Sequence, residues 1–134
     1  MRAVLIDSKN RTVTDVEYSG DYKEIYKLTG CEIFTMIRGL PDGDDAYVDD
    51  EGLLRLTRES MFFKLPWYPT PVAGNALIMS SDDDGESAAS VHDADFYRHH
   101  VTFMSMDAVW LSEQLNPTGF GQVRIYAIKK GSEQ

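Results

Sequence analysis

The sequence predicts a single α+β domain over residues 1–134, with a mainly antiparallel β-sheet, two short helices and one irregular aromatic loop. Short apolar runs of strand length recur along the chain, each bounded by Asp, Asn, Gly or Pro turn chemistry. Only two segments space their apolar residues as a helix does, and Pro66, Pro69 and Pro71 interrupt an aromatic stretch that would otherwise join two strands. With 134 residues, 43% of them hydrophobic, the chain is long enough to close one core without disulfides or metal.

Taken in order, Arg2–Ile6 and Thr12–Tyr18 read as an opening hairpin around the turn-rich DSKN. Asp21 and Glu24 have capping-box spacing, Tyr22, Ile25 and Tyr26 recur at helical spacing, and Gly30 supplies a stop, so a helix is expected over Tyr22–Thr29. Cys31–Leu40 has more apolar residues than strict alternation gives and reads as a strand buried on both faces or bulged. After the PDGDD turn a brief strand AYV leads into DDEG, and LLRLTRES is expected to return as its hairpin partner.

Met61–Pro71 is then expected to be extended or irregular because of its prolines. Val72–Ser80 reads as one core strand, Asp82–Ser87 as its exit turn, and SAASVHDAD as weakly structured. The stretch HHVTFMS suits a strand, followed by a helix capped by Ser105 or Asp107 that runs through Leu115, with Ala108, Leu111 and Leu115 on one face. A last strand is expected in QVRIYAIKK.

The net charge of −9 is regional: residues 42–95 hold 13 acidic side chains against 3 basic ones, and the remainder holds 9 against 10. Such a surface repels phosphate backbones, which argues against direct nucleic-acid binding and for a partner with a basic surface. A single cysteine, Cys31, has no intramolecular disulfide partner and, beginning an apolar run, reads as a buried thiol. Neither a secretory signal nor a membrane-length apolar run is evident, so the expected compartment is the cytoplasm, without membrane attachment.

Four constellations bear on chemistry. Ser80, Asp82, Asp84 and Gly85 fit the start of a calcium loop, but position twelve is Val91 where a bidentate Glu is required. His92, Asp93 and Asp95 are of the residue types used in hydrolytic metal centres, with His99 and His100 close by, but their spacing matches no established metal motif. There is no GxSxG elbow, and Gly119-Phe120-Gly121 lacks the third glycine and the following helix of a phosphate loop. No cofactor is implied. The fourth constellation is Phe62, Phe63, Trp67 and Tyr68, whose large stiff rings suit a recognition surface, although capping the core is the commoner role of such a cluster.

Two stretches, YVDDEGLL (Tyr47–Leu54) and PVAGNALIMSSDDDGE (Pro71–Glu86), resemble a domain-of-unknown-function family of small phage and plasmid proteins. The resemblance spans about the first two thirds of the chain and implies a mobile-element accessory protein, with no catalytic residues to transfer. The leading expectation is a non-enzymatic protein that binds a host protein, as an inhibitor or nucleic-acid mimic, through Phe62, Phe63, Trp67, Tyr68, Asp49, Asp50, Asp82 and Asp84. The alternatives are a nucleotide-binding module or metal-dependent hydrolase using His92, Asp93 and Asp95, and a homo-oligomer with no separate ligand.

Overall fold

The computed structural model describes residues 1–31, 33–49 and 59–115. The expected hairpin around DSKN forms, strands β1 (Arg2–Asp7) and β2 (Thr12–Glu17) pairing antiparallel from Arg2 opposite Glu17 to Asp7 opposite Thr12; of the other expected strands, LLRLTRES largely, and QVRIYAIKK entirely, fall outside the described residues. Helix α1 (Lys23–Thr29) follows and ends on Gly30, whose φ of 74° is the left-handed cap that glycine accommodates without a Cβ clash. The capping box takes a different form from the one expected. Asp21 accepts from the Lys23 amide, but Glu24 reaches back to the amide and hydroxyl of Ser19.

The core strand is β7 (Ala76–Ser81), lying between β1 and β4 (Asp45–Asp49) and antiparallel to both. With β3 (Phe34–Ile37) outside β4, the main sheet runs β2-β1-β7-β4-β3, and β8 (Ser87–Ala88) forms a short hairpin with the end of β7. A second sheet has the order β6-β5-β9, from Val72–Ala73, Met61–Lys64 and Thr102–Ser105. Two short helices complete the described fold, α2 (Ala94–Arg98) and α3 (Met106–Leu115).

Alternation along the strands generates the layers. On one face of the main sheet Ala3, Tyr18, Leu77 and Met79 pack with Ile25 of α1. On the other, Val4, Ile6, Val13, Val48, Ala76 and Ile78 pack with Phe63 of the small sheet and with Ala94 and Tyr97 of α2. The small sheet is covered in turn, since Phe62 packs with Met106 and Val109 of α3. Phe62 and Phe63 are thus consecutive residues pointing to opposite faces of one sheet, both with 0% exposure.

Several expectations are corrected. Met61–Lys64 is a regular strand, because the helix- and ladder-breaking prolines begin only at Pro66; the irregular segment is Leu65–Pro71. It opens with a turn in which the Tyr68 amide donates to the Leu65 carbonyl, placing Pro66 at the position where its fixed φ is favourable. Val72–Ser80 is two strands in two different sheets. Gly74, at φ 83°, and Asn75 break the run and carry the chain from the small sheet to the main one. Among the described residues, Cys31–Leu40 contributes a four-residue strand at the end of the sheet order, leaving Ile33 exposed, while Cys31 is buried beside the Thr29 hydroxyl. Among the described side chains of α3, Met106 and Val109 are buried, whereas Ala108 and Leu111 of the expected face are exposed; the Leu115 side chain lies outside those described. Ser105 does serve as its cap, accepting from the Ala108 amide. No helix among the described residues is long and apolar enough to cross a membrane.

Candidate functional site

Antiparallel pairing sorts the turns between the two ends of the main sheet. Asp45 lies opposite Met79, and Ala46 opposite Ile37, so the start of β4, the end of β7 and the end of β3 share one end. That end carries the Pro41–Gly43 turn and the Asp82–Glu86 hairpin tip, where Asp42, Asp82, Asp83, Asp84 and Glu86 are all exposed. The tip is built from its own carboxylate: Asp82 Oδ1 accepts from the amides of Asp84 and Glu86 at 2.9 Å each. Ser80 Oγ donates to the Gly43 carbonyl at 3.2 Å and ties the hairpin base to the neighbouring turn.

Beneath these exposed acids lies Asp44, with 0% exposure. One carboxylate oxygen accepts from the Val91 amide at 2.7 Å; the other accepts from the His92 amide at 3.1 Å and from the Tyr97 hydroxyl at 2.5 Å. Three donors satisfy a charge that burial would otherwise make very costly. The Tyr97 phenol is pushed far above its usual range, first by burial and then by its hydrogen bond to Asp44. Arg2 grips the same returning segment from the other side, donating through Nη2 to the carbonyls of Ser90 at 2.6 Å and Val91 at 3.3 Å. Residues 90–92 are therefore clamped between β1 and the start of β4.

The clamp fixes His92. Its Nε2 lies 2.7 Å from Asp42 Oδ2, and its ring stacks on Phe96 with centroids 3.8 Å apart. Phe96 in turn lies parallel to Trp67, at 5.8 Å and 8°, and His100 packs against both Trp67 and Phe96. A line of contacts thus runs from the aromatic loop through Trp67, Phe96 and His92 to Asp42. Trp67 and Tyr68 are half-buried, and Lys64 anchors their loop from below, its Nζ donating to the carbonyls of Leu65 and Tyr68. Burial holds the Lys64 ammonium below the usual lysine range.

The residues singled out in the sequence are distributed unevenly over this site. Trp67, Tyr68, Asp82, Asp84 and His92 lie on it or beside it. Phe62 and Phe63 do not: both are sealed in the core, so neither offers a contact surface. Asp49 is half-buried at the far end of β4, and Asp50 lies outside the described residues. Asp93 caps α2 by accepting from the Phe96 amide at 3.0 Å, and Asp95 faces Arg98 and His99. Among the described residues no three His, Cys, Asp or Glu side chains gather as a metal site would require.

Sequence alone does not mark Asp42, Asp44, Phe96 or Tyr97 as members of this site. Asp42 and Asp44 look like ordinary turn residues in PDGDD, and nothing local marks Asp44 for burial, because its partners come 47 to 53 residues later. A signal for α2 was present in Asp93, a good N-cap residue, but five helical residues are too few to show a period.

Chemically, a carboxylate hydrogen-bonded to an imidazole can orient a base. The only cysteine lies elsewhere, beside Thr29 at the end of α1, and no hydrogen bond joins the second ring nitrogen of His92 to a nucleophile among the described residues. What the site does offer is an acidic and aromatic face tied together by hydrogen bonds and ring contacts. In comparison with known proteins, the family described as a domain of unknown function (DUF3846) matches residues 1–102, from β1 to the first residue of β9. No curated protein and no solved structure matches the chain.

Proposed function

Given that the chain belongs to the DUF3846 family, we propose that it is a small accessory protein of a phage or mobile element that binds a basic surface on a host protein through its acidic end. The observation that carries this reading is the continuous line Trp67–Phe96–His92–Asp42, which joins the aromatic loop to the exposed acids. Aromatic rings beside carboxylates suit arginine and lysine, because a guanidinium or ammonium is attracted both by the ring face and by the charge.

The base of the surface is rigid where it matters. Asp44 and Arg2 hold the segment that carries His92, and Asp82 holds the hairpin tip. Such preorganisation lowers the entropy lost on binding. Exposed carboxylates on a fixed base would also steer a basic partner and could occupy a groove built for phosphates, which makes an inhibitor or nucleic-acid mimic the specific form of the proposal.

The test is affinity capture from host lysate at increasing salt, comparing the wild-type protein with a variant combining Asp42→Lys, Asp82→Lys and Asp84→Lys. A partner retained at low salt by the wild type, released as salt rises and lost by the variant supports the proposal. A partner captured equally by both proteins rules out this surface, and no specific capture at low salt counts against the reading as a whole.

A further inference from the structure

The opposite end of the main sheet carries a different feature. Where edge strand β2 meets the chain running from α2 into β9, a cleft of about 330 Å³ opens, with Val13, Val101 and Phe103 as its apolar walls and Arg11 and Arg98 beside them. Its volume lies at the lower end of the range of small-ligand clefts, roughly 300–1,000 Å³. We propose that this cleft binds a small organic anion, a phosphate monoester or carboxylate with a compact apolar body.

Three features select that chemistry. First, the apolar walls favour burial of a hydrocarbon or aromatic group over binding of a bare ion. Second, the Arg98 guanidinium is held in place, with Nη2 donating to the Val13 carbonyl at 2.7 Å and Nη1 to Asp95 at 3.3 Å. Third, Arg11 lies on an exposed turn and makes no hydrogen bond or ion pair with any described residue, so none of its five N–H donors is committed among them. Arg11 takes a left-handed backbone, φ 54°, at the close of the β1–β2 turn. A guanidinium matches carboxylate and phosphate oxygens two at a time, which gives orientation as well as charge. This site is independent of the acidic end, and either proposal can fail without the other.

The experiment is an amide chemical-shift titration of the full chain with phenyl phosphate, inorganic phosphate and benzyl alcohol. Phenyl phosphate should give saturable shifts confined to residues 11–14 and 98–103, in the millimolar range expected of a compact ligand in an open cleft, with half-saturation at about 1 mM. The other two probes, each carrying half of the recognised chemistry, should bind at least about tenfold more weakly. Arg11→Gly suits the left-handed backbone and removes the guanidinium, so it should weaken phenyl phosphate about tenfold while leaving the remaining spectrum in place; Arg11→Lys should fall between. No saturable shift up to about 10 mM, equal binding of inorganic phosphate or benzyl alcohol, or unchanged binding by Arg11→Gly would each overturn the assignment.

Discussion

The two ends of the main sheet are built from the same antiparallel strands and carry opposite chemistry. At one end the Pro41–Gly43 turn and the β7–β8 hairpin collect Asp42, Asp82, Asp83, Asp84 and Glu86 over a buried, triply bonded Asp44. At the other, the β1–β2 turn and the end of α2 bring Arg11 and Arg98 to an apolar cleft. A net charge of −9 conceals this division. Charge read along the chain located an acidic region, but only strand pairing shows which acids share a surface: Asp42 and Asp82 are neighbours through the Ser80–Gly43 hydrogen bond, while Asp49 belongs to the far end.

The ends also differ in how they are braced. Asp44 holds the acidic end, and loss of its carboxylate in Asp44→Ala would orphan two amides and a buried phenol. Urea unfolding should reveal a cost on the order of 3 kcal/mol or more, with loss of the His92–Asp42 contact. A cost below about 1 kcal/mol would mean that the segment at residues 90–92 is held by other means. Tyr97→Phe removes one of the three bonds to the same carboxylate and should cost about 1.5–3 kcal/mol, the range for a hydrogen bond to a charged group.

At the far end the brace is neutral: Ser8 donates its hydroxyl to the Gly74 carbonyl and its amide to Asn75 Oδ1. Ser8→Ala should therefore cost only about 1 kcal/mol in the same measurement. Equal losses at the two ends would remove the contrast between a charged and a neutral brace.

Alkali provides a milder probe of the buried network. Tyr97 has its pKa raised in the folded protein, and Tyr18 and Tyr47 are shifted in the same direction, each chiefly by burial. The folded state therefore keeps protons that the unfolded chain releases near pH 10, so this stabilisation is complete below about pH 10 and is lost as pH rises beyond it. Lys64 acts with the opposite sign, because its lowered pKa makes the folded state bind its proton less tightly than the unfolded chain does. With three phenols against one ammonium, denaturation midpoints should fall above about pH 10, and Tyr97→Phe should flatten the fall. A flat profile in the wild type would contradict the buried-phenol arrangement. The smallest effect on stability should come from Asp83→Lys with Asp84→Lys, within about 0.5 kcal/mol for each exposed position, because neither carboxylate braces the hairpin tip as Asp82 does, even though the same changes should weaken partner binding.

The parts of the fold that were legible in the sequence are those with local causes. Gly30 closes α1 because a left-handed residue is needed there, and Ser105 caps α3 directly beside the strand that feeds it. The β1–β2 hairpin follows from two short runs and a turn-rich link. What could not be read depends on distant partners. The break at Gly74-Asn75 looks like an interruption within one strand until β5 and β1 are seen to claim its two halves for different sheets. Phe62 and Phe63 resemble recognition aromatics in composition, yet a sheet covered on both faces buries both. Asp44 is an acidic turn residue until Val91, His92 and Tyr97 return to enclose it.

The central claim, that the acidic end is the surface that meets a partner, is tested most directly by zero-length carbodiimide cross-linking in native cells, with mass spectrometry of the joined peptides. Carboxylates would couple only to lysines in direct contact. The account predicts that partner links fall on Asp42, Asp82, Asp83, Asp84 and Glu86, all exposed at one end of the sheet. Links confined to carboxylates at the other end, such as Asp7, or no links to any partner, would contradict it.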